Sequence, residues 1–369
     1  MVVPVVKASR TLLIVVDGMS QAVGRELLAE MTRDGWFERR PVELPRRPAA
    51  LATLPSLTAV SRTALLAGRL GAGEGQGAER EGFASHEGLR EVSRGSGAPL
   101  LLHQRDLADD GSGLPVEVRG AVDSGRRVVG VVVNAVDDFL SAGAQQRPRW
   151  TTAEIPVLRA LLDAAAETGR AVLLASDHGH LPERPGSRYV SPAGSQSSGA
   201  RRRSEDGEAA REGEVEAQSA RVMTPSGRVV LAADPHVRYV AKPAAGYHGG
   251  ASPEELVAPV IVLTPSDRPL DGLVDQPIDE PGWWREKQPA PVTVAPPTPP
   301  ARKPPRSSVG QLALEGVEAG PRAETGPEWL APLLESARLA EQRNRMDRAR
   351  LEDERLVAVL RVPTRMAAA

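Results

Sequence analysis

Four short apolar runs mark the first 265 residues of the chain, and polar residues follow each of them at once. They occupy residues 11–16, 127–133, 171–175 and 260–263. Continuous runs of this length, rich in β-branched residues, are typical of strands buried on both faces of a parallel sheet. Helical periodicity lies between them, at residues 21–33 and 59–67 and after a Thr151–Glu154 capping box. The alternation predicts an α/β fold with a mostly parallel sheet flanked by helices.

The segments between these elements are less regular. Residues 69–97 are rich in glycine and charge, which predicts a long surface loop, and residues 228–232 and 237–241 resemble the two strands of a hairpin. Residues 182–220 are polar and rich in Gly and Ser, which predicts a disordered insertion. Within it, Arg201–Arg203 stand close to acidic residues and are expected to form a solvated loop.

A change of composition after residue 264 divides the chain into three parts. Residues 1–265 form the predicted domain, residues 266–325 a Pro-rich extended linker, and residues 326–369 a highly charged helical tail. The tail is too polar for an isolated domain and is expected to pack against something else, so a docking role is more plausible for it than reading DNA.

Composition excludes several classes of protein. A net charge of -2 gives no global positive field that would favour nucleic acid. The chain has 0 cysteines, which excludes disulfides, thiolate metal sites and cysteine nucleophiles and agrees with a reducing cytosol. The first ten residues place their apolar run before their positive charges, the reverse of a secretory signal, and residues 11–16 are too short to span a bilayer. We therefore predict a soluble, cytoplasmic protein.

Acidic residues and histidines follow the predicted strands directly. Asp17 follows the first strand, Asp137 and Asp138 come after the middle one, and Asp177 and His178 follow the next. Because the carboxyl ends of such strands line one crevice, these side chains should converge. Carboxylates without counter-charges repel one another and bind divalent cations, and imidazoles move the preference from Mg²⁺ toward Zn²⁺ or Mn²⁺. Taken alone, Asp17 and Thr58 could also be simple helix caps.

The order of these motifs resembles that of the alkaline phosphatase superfamily. The amino-acid sequence of the motifs is most similar to that of the PglZ-domain family of BREX phage-defence systems. The similar segments are VVDGMS, LPSLTAVSRTALLAG, VVNAVDDFL, ASDHGH and YHGGASPEELVAPVIVL. The resemblance covers roughly residues 10–265. The helical tail resembles the C-terminal part of the longer, type 2 members, so the chain resembles a fragment or a shortened version of them.

The resemblance implies a set of site residues. Asp17, Asp177 and His178 would hold one metal together with Thr58, and Asp137 and His248 would hold the other. Thr58 would be the nucleophile. The same likeness places Ser61 and Arg62 on the helical face of Thr58, where they would bind non-bridging phosphate oxygens.

The function that the resemblance implies is a metal-dependent phosphodiesterase or phosphatase in antiviral defence. Its cofactors would be two divalent cations, Zn²⁺ foremost, with Mn²⁺ or Mg²⁺ as the alternatives. Its substrate would be a phosphate ester or a nucleic-acid phosphodiester, and its partners a BREX methyltransferase and ATPase.

One departure from the superfamily pattern affects the second metal. Related diesterases place a histidine four residues after the middle aspartate, where this chain has Ser141 after Asp137 and Ala142 after Asp138. The resemblance therefore leaves two options for the second cation: weak binding, or completion by Asp138 or His180. A scaffold that keeps the fold without turnover and binds defence-system partners is the alternative function.

Overall fold

The computed structural model describes residues 2–71, 73–107, 113–142, 149–192, 199–204 and 209–277. The chain divides into two units, Met1–Asp279 and Glu280–Ala369, and only the first contains described residues. All of the predicted helical tail, and the predicted linker from residue 278 onward, therefore lie outside the described residues.

The described part contains fifteen strands. They are β1 (Thr11–Val16), β2 (Phe37–Pro41), β3 (Ala49–Leu51), β4 (Leu100–Leu102), β5 (Val128–Val133), β6 (Ala171–Ala175), β7 (Leu181–Pro182), β8 (Arg188–Tyr189), β9 (Arg202–Ser204), β10 (Glu214–Gln218), β11 (Arg228–Ala232), β12 (Val237–Arg238), β13 (Gly246–Tyr247), β14 (Val257–Thr264) and β15 (Leu273–Asp275).

Nine α-helices and two short 3-10 helices accompany the strands in the described residues. The α-helices are α1 (Val2–Ala8), α2 (Gln21–Arg33), α3 (Thr58–Ala67), α4 (Gly75–Ser85), α5 (Glu87–Val92), α6 (Val116–Asp123), α7 (Ala135–Ala142), α8 (Pro156–Glu167) and α9 (Pro253–Leu256), and the 3-10 helices are Gln104–Leu107 and Thr152–Glu154. Within the described ranges, no helix is both long and apolar enough to cross a membrane.

Eight strands form one mixed central sheet in the order β15-β2-β14-β6-β1-β5-β4, with β3 also paired to β14. The pairings among β6, β1, β5 and β4 are parallel. Every pairing that involves β14 or β15 is antiparallel. The prediction of a mostly parallel sheet is thus right for the half that contains β1 and β6, and the other half is antiparallel. The sheet also extends to β15, beyond the domain end predicted at residue 265.

Alternate residues of β1 belong to opposite faces of the sheet, as the two-residue period of a strand requires. Leu12, Ile14 and Val16 join a core cluster with α2, α6 and α8, whereas Leu13 and Val15 join a second cluster with α1, α4 and α5. Burial of both faces explains why β1 is apolar throughout. The predicted flanking helices are present on both sides.

The segment predicted as a surface loop at residues 69–97 is largely helical. It contains α4 and α5, whose inward faces bury Phe83, Leu89 and the carboxylate residue Glu79. Glycine and charge suggested a loop because most of these residues do face solvent. The helical signal is confined to a few inward positions, which composition does not reveal.

The segment predicted as a disordered insertion contains four short strands in its described part, from β7 to β10. The prediction of a solvated Arg201–Arg203 loop is wrong, because Arg201 and Arg203 are fully buried and ion-paired with Glu255 and Glu214. The physical reason is pairing: a buried guanidinium is tolerated when a carboxylate and hydrogen-bond acceptors surround it. Sequence composition shows the charges but not their partners.

Two local predictions also differ from the structure. The predicted hairpin does not form, because β11 pairs with β10 and β9 whereas β12 pairs in parallel with β8. Thr151 precedes a 3-10 turn without capping it through its side chain, and α8 begins only at Pro156. Proline at the first position of a helix is favourable, since its missing N–H would have no partner there.

Candidate metal centre

Neighbouring parallel strands bring the first group of polar residues together. β1 and β6 are paired up to Val15 and Ala175, so the residues that follow them, Asp17 and Asp177, leave the sheet at the same edge. The Ser176 hydroxyl lies 2.7 Å from the Val16 carbonyl oxygen and accepts a hydrogen bond from the Met19 amide at 3.0 Å, which joins the two strand ends.

Thr58 is the first residue of α3, and its hydroxyl faces this edge of the sheet. Its Oγ1 donates to Asp17 Oδ1 at 3.1 Å and lies 2.9 Å from His178 Nε2. The residue at the N-cap position of α3 is Leu57, so Thr58 is not the helix cap. Asp17 is not a cap either, because Ser20 caps α2. The two simple capping interpretations of these residues therefore do not apply.

Asp17, Asp177 and His178 form a buried cluster with the geometry of a cation site. One ligand atom from each lies within 4.8 Å of the other two. Within the described residues, Asp177 Oδ2 is buried without a hydrogen-bond partner. A buried carboxylate oxygen is costly unless something compensates its charge, and a divalent cation held between these residues would do so. The cluster therefore fits a metal ion.

The pKa values of the two carboxyl groups also indicate a site that favours a bound cation. Burial, together with the neighbouring Asp177 carboxylate, raises the pKa of Asp17 to about 7. Burial raises the pKa of Asp177 to about 6. Both shifts arise because burial disfavours the charged carboxylates by more than the positive charge of Arg62 offsets.

Three histidines share one arrangement of their ring nitrogens. The Nδ1 atoms of His178, His180 and His248 lie 2.9, 2.7 and 3.0 Å from the backbone carbonyl oxygens of Gly179, Gly18 and Ser56. Because a carbonyl oxygen can only accept, each ring donates from Nδ1, and the neutral ring keeps its lone pair on Nε2. This is the arrangement by which proteins orient metal-binding imidazoles.

The protonation states of these rings differ. Burial lowers the pKa of His178 to about 4 and lowers that of His180, so both rings are neutral at pH 7. Burial alone would lower the pKa of His248, but the hydrogen bond and charge of Asp137 outweigh it and raise that pKa to about 9. In return, the hydrogen bond from His248 lowers the pKa of Asp137 despite its partial burial.

Asp137 and His248 form a second group next to the first. His248 Nε2 lies 3.3 Å from Asp137 Oδ1, and the His248 ring stacks on that of His178 with 4.3 Å between the ring centroids. Two of the residues assigned to the second metal thus face each other through their ligand atoms. The two side chains form an ion pair.

A model of the BREX system PglZ alkaline phosphatase-like domain matches residues 2–263 of the chain. The chain belongs to the PglZ family. The match confirms the family that the sequence motifs indicated and the alkaline-phosphatase-like character of the fold. A comparison with curated proteins gives no match.

Solved structures of other proteins also resemble this PglZ domain. An inactive variant of murine ectonucleotide pyrophosphatase/phosphodiesterase 5 in complex with AMP is 9% identical, with 69% of this chain and 87% of that chain covered and a TM-score of 0.43. Phosphonoacetate hydrolase from Sinorhizobium meliloti 1021 in complex with phosphonoacetate is 11% identical, with coverages of 71% and 92% and a TM-score of 0.43. The human ectonucleotide pyrophosphatase/phosphodiesterase 5 is 9% identical, with coverages of 69% and 87% and a TM-score of 0.44.

The remaining predicted site residues of the PglZ domain occupy different positions. Asp138 is exposed on α7, whereas His180 is buried beside Gly18. The Ser61 hydroxyl is 2.7 Å from that of Thr53. Arg62 donates from Nη1 to Asp17 Oδ2 at 2.7 Å, so it reaches the cluster through a carboxylate.

Sequence reasoning missed two residues that contact Arg62 or its partners. Glu79 accepts a hydrogen bond from Arg62 Nε at 2.9 Å, and His103 Nε2 lies 2.6 Å from the other Glu79 oxygen. Glu79 lies in the segment predicted as a loop, and His103 follows β4 without any motif around it. No local signal in the sequence distinguishes either residue from a surface charge or an ordinary histidine.

A cavity of about 320 Å³ adjoins this centre on the side of α7. Ser20 and His180 line it, and so do Phe139 and Trp150, whose rings meet edge to face with 5.4 Å between their centroids. Its size is in the range of small-molecule sites, and its wall combines aromatic surface with a few polar groups.

Proposed function

We propose that this PglZ domain is a metal-dependent phosphohydrolase, a phosphodiesterase or phosphatase, in which Thr58 is the nucleophile. The observation that carries the proposal is the position of the Thr58 hydroxyl. It lies within hydrogen-bond distance of both Asp17 and His178, beside a buried Asp177 oxygen that has no partner among the described residues.

The residues would share the work as follows. Asp17, Asp177 and His178, together with Thr58, would hold one divalent cation. Asp137 and His248 would hold another, for which His248 must lose its Nε2 proton to solvent. Two such cations, with Zn²⁺ the best match to these ligands and Mn²⁺ or Mg²⁺ the alternatives, would lower the pKa of the Thr58 hydroxyl and offset phosphate charge.

His180 is the residue we propose to complete the second set of ligands, in preference to Asp138. Its Nδ1–H is engaged by the Gly18 carbonyl, so its Nε2 carries the free lone pair. Asp138 is exposed, whereas His180 is buried, and burial lowers the pKa of its ring and favours the neutral form that binds metal.

Thr58 Oγ1 would attack the phosphorus in line, forming an O–P bond as the bond to the leaving oxygen breaks. The proton that the hydroxyl loses passes to solvent, and the leaving oxygen takes up a proton from solvent in turn. Water then attacks the phosphothreonine, which releases the phosphoryl group and restores the Thr58 hydroxyl. The cavity beside His180 has room for the leaving group. Arg62 Nη2 and the Ser61 hydroxyl are the groups we propose for the non-bridging oxygens; Ser61 would exchange its bond to Thr53 for one to phosphate.

Hydrolysis of bis(4-nitrophenyl) phosphate and 4-nitrophenyl phosphate, with Zn²⁺, Mn²⁺ or Mg²⁺ added to metal-free protein, tests the proposal. We expect metal-dependent release of nitrophenol that Thr58→Ala abolishes and Thr58→Ser partly retains, since serine keeps a hydroxyl at the same position. Thr32→Ala, on the far end of α2, is the control and should leave the rate unchanged. Full activity of Thr58→Ala would refute the assignment of the nucleophile.

The defence role and the partners rest on family membership. We propose that the protein acts with other BREX proteins, among them a methyltransferase and an ATPase. In cells that carry a complete BREX system with this protein, Thr58→Ala should abolish protection from phage if hydrolysis is required. Protection that survives this change, together with copurification of the partners, would favour the non-catalytic scaffold instead.

The scaffold has one observation in its favour, which is the absence of a histidine four residues after Asp137. Elemental analysis separates the two functions, because a scaffold requires no stoichiometric metal. We expect bound metal in the unmodified protein and its loss in Asp177→Ala. A metal-free protein that recovers no metal on dialysis would favour the scaffold.

A further inference from the structure

A chain of four buried polar side chains leads from the metal cluster into the domain. Arg62 Nη1 donates to Asp17 Oδ2 at 2.7 Å, and Arg62 Nε donates to Glu79 Oε1 at 2.9 Å. Glu79 Oε2 lies 2.6 Å from His103 Nε2. The four residues come from the end of β1, from α3, from α4 and from the residue after β4, so the chain joins four separate elements.

Water has almost no access to this chain. The side chains of Glu79 and His103 are each 1% exposed, that of Arg62 is 10% exposed and that of Asp17 is 4% exposed. Burial alone would raise the pKa of Glu79, but hydrogen bonds from His103 and Arg62 hold it below its usual value. Glu79 is therefore an anion that offsets the Arg62 charge.

Each hydrogen bond in this chain fixes which atom of the neighbouring side chain remains available for other contacts. Because Arg62 occupies Asp17 Oδ2, the carboxylate presents Oδ1 to Thr58 at 3.1 Å and to His178 Nε2 at 3.5 Å. Because Glu79 takes the Nε–H of Arg62, the guanidinium is held on two sides and cannot rotate away from Asp17 without breaking a buried hydrogen bond.

We propose that Glu79 and His103 are positioning residues of the metal centre, which hold Arg62 so that Asp17 offers one fixed oxygen to the cation and to Thr58. The inference rests on the proposed function, in that Asp17 must be a metal ligand. Buried ion pairs contribute little to stability compared with apolar residues of the same volume. Partners that orient a metal ligand, in contrast, typically change metal affinity by about 10–100-fold.

The main test is the double variant Arg62→Met/Glu79→Met. It removes one positive and one negative charge and leaves the net charge of the protein unchanged. Because Arg62 is the nearer of the two to Asp17, the loss of these charges would by itself strengthen cation binding, so a weaker affinity reports orientation. We expect the dissociation constant for Zn²⁺ or Mn²⁺, measured by equilibrium dialysis on the full chain, to rise by about 10–100-fold. The dissociation constant to compare is that of the cation whose binding is abolished by Asp17→Asn.

The control is a second buried Arg–Glu pair, outside the metal centre, that receives the same two substitutions. Arg203 and Glu214 form a buried pair with 2.8 Å between Nε and Oε1, in the three-stranded sheet of β9, β10 and β11. Arg203→Met/Glu214→Met should leave the metal dissociation constant unchanged whatever it does to the melting temperature. Equal weakening of metal binding by both double variants would mean a general loss of structure and would overturn the positioning role.

A second pair of variants keeps the test decisive if the double variant fails to fold. His103→Leu removes the partner of Glu79, whereas His103→Gln keeps an N–H at a similar distance from the Cα atom. We expect His103→Leu to raise the metal dissociation constant several-fold and His103→Gln to restore it. A structural role alone would not produce recovery of affinity by the glutamine variant.

The outcomes separate this inference from the proposed function. If the unmodified chain binds metal, Asp17→Asn loses it and both Arg62→Met/Glu79→Met and His103→Leu bind normally, the positioning role is wrong and the metal centre stands. If the unmodified chain binds no metal, or binds it equally well with Asp17→Asn, the proposed centre fails and this inference fails with it.

Discussion

Loading the metal-free protein with its cations should expel protons, and their number follows from the site. His248, paired with Asp137, has its pKa raised to about 9, burial and Asp177 raise the pKa of Asp17 to about 7, and burial raises that of Asp177 to about 6. A cation needs each of these groups without its proton, so binding must displace whatever protons remain at the working pH.

At pH 8 the count is dominated by one residue. A group with a pKa of about 9 carries about 0.9 proton at that pH, and one with a pKa of about 7 carries about 0.1, so about one proton should leave, nearly all from His248. At pH 6 the same arithmetic gives a release of between about two and three, because Asp17 and Asp177 now contribute. The low pKa of His178, about 4, means that this ring adds none.

Isothermal titration calorimetry in two buffers of different ionisation enthalpy measures the release directly. His248→Gln should reduce the release at pH 8 to nearly zero for the metal that still binds. His236→Gln is the matched control, because His236 Nδ1 lies 3.3 Å from Asp234 Oδ1 in a partly exposed His–Asp pair that contributes no predicted ligand. Two results would refute the assignment of His248 as a ligand. One is that the unmodified protein releases no proton on binding metal at pH 8, and the other is that His248→Gln releases as many protons as the unmodified protein.

Three further predictions concern stability. The pKa of His248 in the folded protein, about 9, exceeds the ordinary histidine value of 6.5, so its contribution to the free energy of unfolding is complete below pH 6.5 and is lost as pH rises through 9. The melting temperature of the metal-free protein should therefore fall over this window, and less so in His248→Gln. Gly179→Ala should destabilise the protein in urea by about 1–3 kcal/mol or more, since its Cβ would overlap the backbone of α9. Glu255→Leu leaves Arg201 buried without its carboxylate and should cost about 3–5 kcal/mol in the same assay, whereas Glu216→Leu, at a largely solvent-accessible pair, should cost about 1 kcal/mol or less.

The central strands could be predicted from sequence because their burial leaves no room for polar residues. β1 and β6 have the bounds that the apolar runs at residues 11–16 and 171–175 predicted. The antiparallel direction of β14 could not be predicted in this way, since an apolar run looks the same in either direction. Direction depends on the path of residues 182–256, in which strands are only two to five residues long.

The candidate site likewise contains residues that could be predicted from sequence and residues that could not. Sequence motifs indicated Asp17, Thr58, Asp177 and His178, and the structure brings these four together. The three that follow β1 and β6 meet because these neighbouring strands are parallel, and Thr58 contacts them from the first turn of α3. The partners that hold them could not be predicted. Nothing in the sequence near Glu79 says that its carboxylate turns inward, since a charged residue on a helix is by default expected to face water.

The two segments with the least regular sequence supply buried charged side chains that contact neighbours of the candidate centre. From the segment predicted as a loop, Glu79 of α4 holds Arg62 against Asp17. From the segment predicted as disordered, Arg201 pairs at 3.1 Å with Glu255, which accepts a hydrogen bond from the Gly250 amide at 2.8 Å, two residues after His248. The end of β1 and the loop after His248 are thus each held through a buried charged side chain from one of these two segments. A surface loop would tolerate shortening, but shortening either of these segments should disturb the candidate centre. Loss of Glu79 would leave Arg62 buried without its carboxylate, and loss of Arg201 would leave Glu255 buried without its guanidinium.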